Sequence, residues 1–168
     1  PAEPGPLPAL APRDGGLVAL ARNTFLEGCL GETVAALAAL RAGRGCQLAP
    51  VREALATIAD DEARHAELAW ATLAYAVRHG GPEVAAAVRA LAEPLRAAAL
   101  AEPDATSTDE LADELPAALL LAHGRLPAAA HAEARRDAWL EILGPTLDLV
   151  LGSESSESAD TDDSLSLS

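Results

Sequence analysis

Glycine and proline punctuate this chain in clusters, and between the clusters apolar residues recur at helical spacing. Gly43, Gly45 and Pro50 form one break, Gly80-Gly81-Pro82 a second, and His123-Gly124 a third. Proline lacks a backbone donor and its ring collides with the preceding turn, while glycine gives up more chain entropy than any other residue. No helix is expected to run through such clusters, so the chain must fold as several rods that pack side by side. Alanine, the strongest helix former, makes up about a quarter of the residues. An all-α fold follows, an antiparallel helical bundle. With 168 residues and 50% hydrophobic content, the chain has the apolar surface for one core.

Five prolines crowd residues 1–12, so 1–13 reads as an extended linker. Asp14 offers an N-cap to a long first helix marked by Leu17, Leu20, Leu26, Leu30, Val34, Leu37 and Leu40. Pro50 suits the first turn of a second helix whose stripe is Val51, Leu55, Ile58, Ala69, Thr72 and Ala76, ending near His79. A third helix is expected over about 83–101, kinked at Pro94. A short one is expected from the Thr108 cap through Leu111, Leu115 and Leu119, interrupted by Pro116. The last spans about 127–151, with Trp139, Ile142 and Leu143 inward and a bend at Gly144-Pro145. The helical domain is therefore 14–151, and 152–168 reads as an acidic tail too poor in apolar residues to fold.

The net charge of −14 sets this chain against nucleic acid and anionic membranes as partners. One Phe, one Tyr and two Trp are too few for base-stacking platforms. No apolar run reaches the roughly 20 residues of a membrane span, and there is no signal-peptide pattern. The start at Pro1 fits a trimmed or processed N-terminus, and no compartment is indicated. A first helix running from Cys29 to about residue 42 would end roughly 20 Å away. Cys46 is then out of disulfide reach of Cys29, since bridged Cα atoms lie within about 7 Å. Phosphate loops, Ser-His-Asp arrangements and Cys-x-x-Cys pairs give no positive signal.

One short motif carries chemistry. Glu62 and His65 stand three residues apart in Ala59-Asp60-Asp61-Glu62-Ala63-Arg64-His65-Ala66-Glu67, so on a helix they share a face on successive turns. Their alignment with the apolar stripe predicts an inward-facing pair, and a carboxylate there needs compensation, by a cation or by an arginine such as Arg64 or Arg52.

Gly31-Glu32-Thr33-Val34-Ala35-Ala36, followed thirty residues on by Glu62-x-x-His65, resembles the first helix pair of the ferritin-like superfamily, rubrerythrins especially. The resemblance covers about residues 14–79. In that family a Gly-Glu and a Glu-x-x-His supply half of a di-iron carboxylate site. It implies Glu32 as a terminal or bridging carboxylate, Glu62 as the bridging one and His65 as the terminal imidazole. On a 100° wheel Glu32 falls on the smaller face, with Phe25, Cys29 and Ala36, away from the leucines; Glu27 lies nearer them and is a reserve candidate.

The family's second half-site is missing. Glu93 or Glu102 is a reserve carboxylate, and the last helix offers His131, Glu133, Asp137 and Glu141 without a Glu-x-x-His. Either the site has decayed, or two copies each give half across a homodimer, or a partner helix pair lies upstream. Leu26-Glu27-Gly28-Cys29-Leu30-Gly31-Glu32 resembles the second repeat of two-repeat bacterial ferritin-like proteins. The expected function is metal binding, with iron (or Mn) and O₂, peroxide or iron-oxidation chemistry. The rival expectation is a non-catalytic helical interaction module with a degenerate site.

Overall fold

The computed structural model describes residues 16–101 and 115–152. The 1–13 linker, Asp14, Glu102, Thr108 and the tail beyond Gly152 lie outside them. All regular structure among these residues is helical. α1 (Gly16–Asn23), a π-helical stretch π1 (Thr24–Glu32) and α2 (Thr33–Gly45) form one continuous first rod. α3 (Ala49–Leu100) has two limbs, 49–80 and 82–100, divided at Gly81. α4 (Ala117–Ala122) is short, and α5 (Ala128–Ala138), π2 (Trp139–Leu143) and α6 (Gly144–Leu151) make the last rod. Four long helical segments thus pack against one another, and no described helix is long and apolar enough to cross a membrane.

The breaks act as their residue types require. Gly81 has φ 63° and ψ −152°, a conformation essentially reserved for glycine, and Pro82 opens the limb that follows. Pro94 lies inside that limb, and the one non-helical residue within α3 is Gly81. α4 starts only after Pro116 and is tied to the first break by the Gln47 amide donating to the Ala122 carbonyl at 2.9 Å. Pro145 has no N–H for the preceding turn. There the helix widens into π2, with the Gly144 amide reaching back five residues to the Trp139 carbonyl.

Facing pairs show the direction of the rods. A Cβ built on Gly28 would meet Ala69, one on Gly43 would meet Leu55, and one on Gly80 would meet Leu17, so the first rod and limb 49–80 run antiparallel. Ala38 and Ala42 line one groove with Ala128 and His131 while Phe25 meets Trp139, which sets the last rod antiparallel to the first. Arg89 donates to the carbonyls of Leu151 and Gly152 at 2.9 and 2.8 Å, closing the end of α6 against limb 82–100. The core gathers around Phe25, which packs edge-on to Trp70 and Trp139 at 6.5 and 6.3 Å, with Leu73, Val84, Val88 and Leu143 fully buried.

The buried face of the first rod is wider than the leucine stripe and takes in its small-residue flank. Ala21, Phe25, Cys29 and Thr33, each four residues apart, are all buried; of the leucine stripe, Val34 is buried and Leu17, Leu30 and Leu37 pack against the core, whereas Leu20, Leu26 and Leu40 are exposed. In an ideal α-helix three such steps drift about 120° around the axis. π1 turns less per residue and keeps the four in line, so the small-residue face carrying Glu32 also meets the neighbouring helices. Ile142, expected inward, is largely exposed.

Candidate metal centre

Glu32 ends π1, and Glu62 and His65 lie on limb 49–80, one turn apart. The antiparallel packing at Gly28 and Ala69 brings these two helix faces together. One donor atom from each of Glu32, Glu62 and His65 lies within 4.8 Å of the other two. His65 Nδ1 is 3.3 Å from Glu62 Oε2. Among the described residues this is the one group of three metal-ligating side chains so placed. Donors bound to a shared ion at about 2.0–2.2 Å stand at most about 4.4 Å apart, so small side-chain rotations would seat a cation between them.

The electrostatics show two carboxyls in competition. A hydrogen bond from Glu32 to Glu62 holds the Glu32 carboxyl above the usual carboxylate range, and the neighbouring charge of Glu62 adds to this. Glu62 is held below that range, first by the Glu32 hydrogen bond and then by His65.

The inward-facing pair predicted from the stripe is corrected. The Glu62 side chain is 27% exposed and that of His65 62% exposed. The buried line of limb 49–80 is Ala59, Ala66, Ala69, Leu73 and Ala76, with Ile58 turned out and His65 on its flank. The cost of burying a bare carboxylate therefore does not arise. Nor do the expected arginines compensate Glu62: Arg64 pairs with Asp61 at 2.8 Å, and Arg52 donates to the Cys46 carbonyl at 3.1 Å.

The reserve candidates divide. Glu27 is exposed on the rim of an open groove of about 550 Å³ that also touches Glu32 and His65, one turn from the donors but outside their group. Glu93 is not brought to the site and lines a separate groove with Arg89, Arg96 and Asp148. Asp137 is engaged by Arg41, His131 lies in a third groove, and Glu133 and Glu141 are exposed. Both cysteines are free and buried, as their separation predicted. Burial pushes the Cys29 thiol up to about 12, so it stays protonated as a core side chain. His79 and His123 are each held to a carbonyl four residues back, at 2.8 and 2.9 Å.

Sequence reasoning missed the glycine that permits the site. A methyl on Gly28 would stand 2.4 Å from Ala69 Cβ, so only glycine allows the two helices to approach this closely beside the donors. The signal was present in Leu26-Glu27-Gly28-Cys29-Leu30-Gly31, a glycine pair inside a helical pattern. Comparison with known proteins finds no family model, no curated protein and no solved structure that matches the chain.

Proposed function

We propose that the protein is a ferritin-like, carboxylate-type metal protein that holds iron, or manganese, through Glu32, Glu62 and His65. The convergence of donor atoms from two separate helices within 4.8 Å supports this reading best. Two carboxylates and an imidazole suit Fe and Mn better than softer ions, and carboxylates are the side chains able to span two ions. Iron so held supplies the redox electrons for O₂ or peroxide chemistry or for its own oxidation. The chain's part is to fix the donors: Glu62 stands between Glu32 and His65, and His65 would bind through a ring nitrogen of the neutral imidazole.

Anaerobic loading with Fe(II) followed by air should give stoichiometric bound iron and the near-ultraviolet absorption of ferric carboxylate. The Glu62→Ala/His65→Ala variant should show neither while keeping its helical circular dichroism. Unchanged iron binding in that variant would sink the assignment. A second reading, a helical interaction module with a vestigial site, is favoured by the way Glu62 and His65 already satisfy each other at 3.3 Å. It expects no stoichiometric metal and a fold indifferent to chelators.

A further inference from the structure

The three donors sit on a face that the rest of the described chain leaves open. The groove beside them is lined only by residues between 16 and 32 and between 65 and 72, among them Leu20, Asn23, Leu68 and Thr72. The last rod packs elsewhere on the same helix pair, where Trp139 meets Phe25 and Ile142 lines a different groove with Ala59 and Trp70. A cation held by Glu32, Glu62 and His65 would have protein on one side and water on the other. Among the described residues no further donor group stands ready to close it.

The rim is apolar where the donors are not: Leu68 is 67% exposed and Leu20 43% exposed. A two-fold interface is self-complementary, so a patch that carries half of a ligand set can be completed by its own copy. Charge sets the condition for this. Two such faces bring four carboxylates together in a chain whose net charge is −14, and they repel. Two divalent cations offset those four charges, making the faces complementary only when metal is bound.

Resting on the metal assignment above, we propose that two copies of this chain meet across this groove about a two-fold axis. A pair of divalent cations, held by Glu32, Glu62 and His65 of each copy, joins them.

The test is the mass of the full chain in solution, by light scattering or sedimentation, measured with chelator and with Mn(II), alongside metal counted per chain. The expected result is monomer in chelator and dimer in Mn(II), with two ions per dimer. Leu68→Asp, an exposed rim change, should keep the chain monomeric and weaken Mn(II) binding at least about tenfold. An added carboxylate would by itself favour a cation, so weaker binding in this variant reports loss of the partner copy. One ion per chain bound by a persistent monomer would overturn the dimer while leaving the metal assignment intact, and so would a dimer indifferent to both chelator and Leu68→Asp. No stoichiometric metal in either state overturns the metal assignment and the dimer with it.

Discussion

Thr33 is placed where the π-helical stretch gives way to α-helix, and its buried hydroxyl has no hydrogen-bond partner. A helical threonine ordinarily returns its hydroxyl to a carbonyl of the preceding turn; here that carbonyl, of Leu30, takes the Thr33 amide and the hydroxyl is left without a partner. Keeping shape and burial while removing the unpartnered polar atom, Thr33→Val should therefore be neutral to stabilising by about 1 kcal/mol, read as a shift in the urea midpoint. Gly28 gives the opposite expectation. A Cβ at 2.4 Å from Ala69 Cβ requires the helices to part, so Gly28→Ala should destabilise the chain by about 1–3 kcal/mol, the range for overpacking. The same variant should weaken metal binding, measurable by Mn(II) titration, because Glu32 sits one turn away.

At the level of elements, the glycine-proline clusters were legible because breaks are local chemistry, and each ended or divided a helix. Gly81 shows how strongly: Gly81→Ala should cost about 1–3 kcal/mol in thermal or denaturant unfolding, since an L side chain is forced into a region essentially closed to it. Glu62 and His65 were legible for a similar reason, as a three-residue spacing puts both on successive turns of one helix face, whereas Glu32 was reached only through the family resemblance, since the wheel placed it away from the leucines. The phase of the first rod was not legible. A periodic wheel assumes one rotation per residue, and nothing in the order of Leu20, Leu26, Phe25 and Cys29 announces a π-helical stretch that brings the small residues inward. For the same reason His65 could be placed on the right turn but not at its true exposure, because which flank of a helix is covered depends on where distant rods pack.

For the molecule as a whole, the opposed shifts of the Glu32 and Glu62 carboxyls link metal binding to pH. Glu62 ionises below the usual carboxylate range, and its support for the fold is lost only as pH falls through that lowered value. Glu32 runs the other way: its pKa is raised, so the support from holding the proton is complete in acid and fades as pH rises through the raised value. Wherever Glu32 is protonated, a cation must displace that proton to bind. Mn(II) affinity should accordingly rise with pH until Glu32 has ionised and then level off as far as these two carboxyls control it. Titration calorimetry in buffers of different ionisation enthalpy should detect proton release below that point and much less above it. The contact between Gly28 and Ala69 adds a further constraint on the ion. Helix axes resting on a hydrogen atom and a methyl cannot draw nearer, so the gap that Glu32 must bridge to Glu62 and His65 has a lower limit set by a residue that never meets the metal. Discrimination between small and large cations would then be governed by a gauge in the backbone, and ligand-preserving changes at position 28 should alter which ion is preferred.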